Sequence, residues 1–242
     1  MNNIAANVQQ VQECIAQACV RVGRSPEAVR LVAVSKTQPP AAVLAAAAAG
    51  VRHFGENRVE EAQGKIPAVN AEAPASLTWH MVGHIQSRKA RDVLPLFQWV
   101  HSVDSIRLAS RLSALAVALE RSLVVLLEVN VSGEASKYGL DAAGWESDRQ
   151  VRRRVVDEVA QMLALPGLNV CGLMTMAPIV SDMEQTRPIF ASLARLRAAL
   201  VEAHGVPLPD LSMGMTDDYP VAVEEGATLV RIGRAIFGER EK

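Results

Sequence analysis

Chemistry in this 242-residue chain starts from one amine. Lys36 follows the apolar run Leu31-Val32-Ala33-Val34 and Ser35, so a strand that buries this run carries the amine to its end. A partly desolvated lysine amine is a nucleophile toward an aldehyde or ketone, whereas a solvated one is a surface cation. Position alone leaves both roles open. A second group of residues suits an anion. Ser212-Met213-Gly214 and Arg231-Ile232-Gly233-Arg234 offer a hydroxyl, glycine backbone N–H groups and guanidinium donors, a set that binds phosphate. Together with the amine they describe a clamp for a phosphorylated aldehyde. Other candidates are weaker. His80 and His84 are four apart, but Gly83 intervenes and no third ligand accompanies them, which argues against zinc. His53 and His101 are expected to hydrogen-bond inside the fold. Asp217-Asp218 before Tyr219-Pro220 reads as a helix start rather than a catalytic carboxylate pair, and GxSxG is absent.

These residues need a frame. After a helical pattern over Asn3 to Val22, short β-branched or apolar runs alternate with stretches of helical periodicity. The strand-like runs are Arg30–Ser35, Arg52–Phe54, Thr78–Val82, Gln98–Ser102, Leu123–Asn130, Asn169–Met174, Asp210–Ser212 and Thr228–Ile232. Ser105 is placed to cap the helix that follows it, Ser181 with Glu184 resembles a capping box, and Gly205 and Gly226 stand at C-cap positions. Alternation of this kind implies parallel pairing with right-handed crossovers. Eight units fit a (β/α)8 barrel of the usual ~250 residues. An open doubly wound sheet would offer a glycine-rich first turn, and the first turn here is Ser35-Lys36-Thr37-Gln38-Pro39-Pro40. In a barrel the polar residues after each strand converge on one face. Those residues include Asn57, His84, Asp104, Thr175 and the loop Ser132 to Gly139.

Composition excludes several classes. Half the residues are hydrophobic and only 4% aromatic, so the core is aliphatic, and a net charge of −1 provides no global field for nucleic acid or an anionic membrane. The apolar stretch Ala41 to Ala49 is shorter than the ~20 residues a membrane span needs. Cys14, Cys19 and Cys171 show no metal-ligand spacing and read as reduced. With no secretory pattern at the N-terminus, the expected location is the cytoplasm.

Taken in order, the motifs resemble the pyridoxal-phosphate-binding proteins of vitamin B6 homeostasis, the YggS-like family. The matching stretches are Leu31-Val32-Ala33-Val34-Ser35-Lys36-Thr37, Phe54-Gly55-Glu56-Asn57-Arg58-Val59-Glu60-Glu61, Trp79-His80-Met81-Val82-Gly83-His84-Ile85-Gln86-Ser87 and Ser102-Val103-Asp104-Ser105. They continue with Glu128-Val129-Asn130-Val131-Ser132, Ser136-Lys137-Tyr138-Gly139, Gly172-Leu173-Met174, Leu211-Ser212-Met213-Gly214-Met215 and Val230-Arg231-Ile232-Gly233-Arg234-Ala235-Ile236-Phe237-Gly238. The resemblance implies one α/β domain over residues 1–242: a TIM barrel of the alanine racemase N-terminal type (pyridoxal-phosphate fold type III), with residues 1–25 as a helical extension packed on it. It also implies pyridoxal 5'-phosphate (PLP) held as a Schiff base on Lys36, its phosphate on Ser212, Gly214, Gly233 and the Arg234 backbone, and its pyridine nitrogen facing Arg231. Asn57 and His84 would line the ring or the mouth. An arginine at the nitrogen leaves the ring a poorer electron sink than an acid would. Thr216 departs from the family's usual serine, and Tyr219-Pro220 from its usual helix opening.

The resulting expectation is a cytoplasmic, monomeric carrier or buffer of PLP, with apo-enzymes as possible recipients and no established catalysis. A PLP-dependent amino-acid racemase is the alternative, although only ten residues follow Ile232, too few for the second domain racemases carry. A Schiff-base aldolase without cofactor is a third possibility. All three depend on Lys36.

Overall fold

The computed structural model describes residues 3–134 and 137–239. The chain opens with α1 (Ile4–Arg21), capped by the Asn3 side chain, and enters the barrel at β1 (Arg30–Val34). There follow α2 (Pro40–Ala48), β2 (His53–Glu56), α3 (Val59–Glu72), β3 (Thr78–Met81), α4 (Ala90–Val93), β4 (Trp99–Val103), α5 (Ile106–Ala118) and β5 (Leu123–Asn130). A two-residue strand, β6 (Leu140–Asp141), precedes α6 (Arg149–Leu163), β7 (Leu168–Met174), α7 (Arg187–His204), β8 (Asp210–Ser212), α8 (Tyr219–Glu224), β9 (Leu229–Ile232) and α9 (Arg234–Phe237).

All strand pairs are parallel, and a β4–β5 pairing joins the sheet into a closed barrel of eight strands, with β6 appended to the end of β5. The expected (β/α)8 barrel of the alanine racemase N-terminal type is therefore the fold. Each expected run holds its strand to within two residues at either end; β6 is the one strand among the described residues that the sequence pattern did not reveal.

Helix ends follow local chemistry. The Ser105 hydroxyl accepts the Leu108 N–H, Gly205 adopts φ 65° after α7, and Asp218 precedes α8 with Pro220 in the first turn. Ser181 is not a cap. Asp182 caps the short 3-10 turn Met183–Thr186 by accepting the Glu184 N–H, because its carboxylate sits one residue nearer the turn.

The main core lies between the barrel wall and its helices, where Phe54, Trp79, Phe97, Leu112 and Phe190 are fully buried. Burying such side chains supplies most of the folding drive, ~1.5–3 kcal/mol each. Within the barrel is a second, small cluster of Val32, Leu126, Cys171, Met174 and Leu229. Barrel interiors are ordinarily filled by layers of branched apolar side chains. Here many inward positions are polar instead: His80, His101, Asp210, Ser212, Glu128 and Arg231 are all buried.

Candidate functional site at the barrel mouth

The register gathers the lysine and the anion-binding candidates on three adjacent strands. Strand β1 pairs with β9, setting Val32 beside Arg231 and Ala33 beside Ile232, and β9 pairs with β8 at Ser212. Lys36 therefore leaves β1 beside the Gly233-Arg234 turn. A Cβ on Gly233 would stand 3.3 Å from the Val34 carbonyl, which shows how closely the two backbones approach.

The turn carrying Lys36 is held from below. Ser35 Oγ donates to Glu56 Oε1 at 2.7 Å, and the buried Lys65 ammonium donates to the Ser35 carbonyl at 2.7 Å, to Glu56 at 2.9 Å and to Glu61 at 2.5 Å. Burial pushes the Glu56 carboxyl above its ordinary range, opposed by the Ser35 and Lys65 hydrogen bonds. Thr37 has φ 65°, a left-handed conformation that costs a β-branched residue ~1–2 kcal/mol. Its N–H donates to Glu61 and its hydroxyl to the Lys36 carbonyl at 2.6 Å, and these contacts hold the turn.

On the opposite side, Gly214 has φ 91°, and a Cβ there would lie 2.6 Å from Ala222 Cβ and 2.9 Å from Tyr219 Cα. Only glycine permits this approach. Asp218 accepts the Met215 N–H at 2.6 Å and fixes the same loop, while Arg231 N–H donates to the Gly214 carbonyl at 3.0 Å. Thr216 Oγ1 accepts a long hydrogen bond from the Ala235 N–H at 3.5 Å, so its hydroxyl faces the Gly233-Arg234 backbone. The Arg234 side chain turns outward and pairs with Asp217, leaving its backbone at the mouth.

Arg231 is buried, and desolvation lowers its guanidinium to about 10, opposed by Asp218 and Glu128. It remains a cation at neutral pH. Its Nη1 donates to Ser212 Oγ at 2.6 Å and its Nη2 to the Thr175 carbonyl at 2.9 Å. Ser212 is wholly buried, and its hydroxyl also meets His101 Nδ1 at 2.8 Å. Glu128, on the neighbouring wall, is pushed up to about 7 by burial and by the Asp104 carboxylate, against the pull of Arg231.

Asn57 and His84 complete the rim in different ways. Asn57 lines a cleft of about 300 Å³ with Arg58, Met81 and His84, and its buried Oδ1 has no hydrogen-bond partner. His84 stands further round the mouth, with Nδ1 3.0 Å from Asp104 and its ring stacked on Tyr138 at 3.9 Å. His80 belongs instead to the barrel interior, so the two histidines do not converge. Among the described residues, no group of three metal-ligating side chains is present. Ser136, which the resemblance included, lies outside the described residues.

Residues 1–241 match the family model described as alanine racemase, N-terminal domain. A curated relative from Pseudomonas aeruginosa PAO1, the pyridoxal phosphate homeostasis protein, is 44% identical over 241 residues, covering all of this chain and 97% of its own. The chain belongs to this family. The structure of PipY from Synechococcus elongatus PCC7942, with PLP bound, superposes with a TM-score of 0.78 at 38% identity, covering 93% of this chain and all of PipY. An alanine racemase of Clostridium difficile 630 shares the fold at a TM-score of 0.69 and 13% identity, covering 98% of this chain and 58% of the racemase. The family resemblance and the barrel expected from sequence both hold.

Sequence reasoning missed Lys65 and the hydrogen bonds that join Ser212 to His101 and Arg231, and it placed Thr175 at the mouth without its contact to Arg231. Lys65 carried a signal, because it lies on a helix face with Ala62, Ile66 and Val69, where an unpaired lysine would be costly. Thr175 and Ser212 meet Arg231 only through the closed register.

Proposed function

We propose that this chain binds pyridoxal 5'-phosphate, holds it covalently through the Lys36 amine, and serves vitamin B6 homeostasis by storing and delivering it. The observation that carries this is the convergence of Lys36, the Gly214 and Gly233 backbones and the buried Arg231 guanidinium on adjoining strands β8, β9 and β1. The fit is chemical as well. Gly214 and Gly233 bring backbone close where side chains could not fit, and Asn57 Oδ1 is a buried acceptor lacking a partner. PLP bound to its relative PipY supports the same ligand here.

When bound, PLP supplies a reactive aldehyde and an electron-withdrawing pyridine ring. Gly214, Gly233 and the Arg234 backbone hold its phosphate. In our reading the Thr216 hydroxyl joins them, and Ser212, committed to Arg231 and His101, supports the ring-facing arginine rather than touching phosphate. Arg231 holds a donor at the ring nitrogen without delivering a proton, which disfavours carbanion chemistry. Asn57 and His84 border the ring and mouth. The protein acts as a cytoplasmic monomer without established turnover, and apo-enzymes are its recipients.

Two measurements test this reading. Incubation with PLP and gel filtration should leave about one bound cofactor per monomer, with a visible absorption band; a colourless protein would overturn it. Single L- and D-amino acids in deuterated water should show no rapid, Lys36-dependent exchange of the α-proton. Rapid exchange would restore the racemase alternative.

A further inference from the structure

A chain of side chains crosses the barrel interior beneath Arg231. His53 Nδ1 lies 3.0 Å from His80 Nε2, His80 Nδ1 lies 2.8 Å from His101 Nε2, and His101 Nδ1 lies 2.8 Å from Ser212 Oγ. Ser212 Oγ in turn receives Arg231 Nη1 at 2.6 Å. His80 and His101 are completely buried, whereas His53 is partly exposed and lines a cavity of about 430 Å³ with Arg52, Glu27 and Gln12. The chain thus links the N-terminal end of the barrel to the mouth.

We propose that His53, His80, His101 and Ser212 form a directional hydrogen-bond relay that positions Arg231, and that the protonation state of His53 sets its direction. The direction follows from donor and acceptor inventory. A guanidinium can only donate, so Ser212 Oγ accepts from Arg231 and directs its own proton to His101 Nδ1. Each neutral imidazole then receives at Nδ1 and donates from Nε2, through His101 and His80 to His53. Ser212 and the three rings hold four mobile protons in this arrangement.

A proton added at His53 Nδ1 would face the Nε2 proton of His80. In the relay the conflict is removed when both inner rings change tautomer, each losing its Nε2 proton and gaining one at Nδ1. The relay then holds five protons, His53 is the cation, and His101 Nδ1 donates to Ser212. Ser212 must accept from both His101 and Arg231 and turn its own proton elsewhere, which weakens its hold on the guanidinium. The other charged groups acting on the rings are Arg30, near all three, and Arg231, near His101. Arg30 disfavours a cation on all three rings and Arg231 adds to this at His101, but His80 and His101 are wholly buried while His53 is partly exposed beside the cavity, which makes His53 the place for the charge.

His53, His80 and His101 are positioning residues here; the link from Arg231 to the cofactor rests on the proposed function, whereas the relay itself does not. The test uses cofactor-free, ¹⁵N-histidine-labelled protein. At pH 7.5, NMR should show His53, His80 and His101 neutral and protonated at Nε2. On acidification the His101 nitrogens should exchange character with the same midpoint as His53, and His53→Gln, which keeps an acceptor but cannot become charged, should abolish that change. Nδ1 protonation of His101 at pH 7.5, or a His101 that stays fixed while His53 titrates, would overturn the relay. In the PLP-loaded protein, the acid-side shift of the visible band should follow the His53 midpoint and vanish in His53→Gln. A relay seen by NMR with an unaltered band would refute the coupling to the cofactor and leave the relay standing.

Discussion

The turn that presents Lys36 is anchored by a second lysine with no proposed contact to a ligand. Lys65 is buried, and its charge is matched by Glu56 and Glu61 while it also ties down the Ser35 carbonyl. Removing one member of a buried pair leaves the other uncompensated and costs ~3–5 kcal/mol. Lys65→Met should therefore lower stability by about that amount in urea unfolding and slow cofactor capture. Lys36→Ala should abolish covalent capture while changing stability by less than about 0.5 kcal/mol, because Lys36 is partly exposed. Glu128 gives a pH signature. Its folded value is raised to about 7 from 4.5, so its favourable contribution is complete below 4.5 and lost as pH rises through 7. Glu128→Gln should raise the melting temperature relative to the parent more at pH 8 than at pH 5. Lys36 was legible because it follows an apolar run, and Arg231 because it stands within one, in Val230-Arg231-Ile232. Lys65 showed only its place on an apolar helix face one turn after Glu61, because Glu56 and the Ser35 carbonyl meet it only after β1, β2 and α3 pack.

At the scale of elements, the strands were legible wherever β-branched runs were bounded by turn residues. The β6 strand escaped notice because two residues, Leu140 and Asp141, carry no periodicity; pairing with the end of β5 creates it. The capping box at Ser181 failed because Asp and Ser cap equally well and Asp182 stands one residue nearer the turn. The β8–α8 loop is the element on which the site most depends. Gly214→Ala would force a methyl group against Ala222 at a left-handed φ, a conflict relieved only by moving Met213 to Thr216. Overpacking of this kind costs ~1–3 kcal/mol. Cofactor retention after gel filtration should fall at least tenfold in this variant, whereas Arg234→Ala, whose side chain points outward to Asp217, should retain cofactor nearly as well as the parent.

The molecule as a whole combines an aliphatic outer core with a polar barrel interior. Sequence reasoning placed His53 and His101 in internal hydrogen bonds, and the structure joins them through His80. The continuation to Ser212, 111 residues beyond His101, follows from barrel closure and leaves no local pattern. Burial lowers the folded-state values of all three histidines, with Arg30 contributing to each. An unfolded chain binds protons more readily once pH drops below about 6.5, so stability is full above that value and declines as pH falls toward the folded values. The melting temperature of cofactor-free protein should thus decline below about pH 6.5, and less steeply in His53→Gln. The proposed capture of PLP rests on one amine at the mouth of this barrel. It is tested most directly by reducing the PLP-loaded protein with borohydride and mapping the adduct by mass spectrometry. A single phosphopyridoxyl group on Lys36, absent from Lys36→Ala, is the predicted result; an unmodified Lys36, or an adduct on another lysine alone, would contradict it.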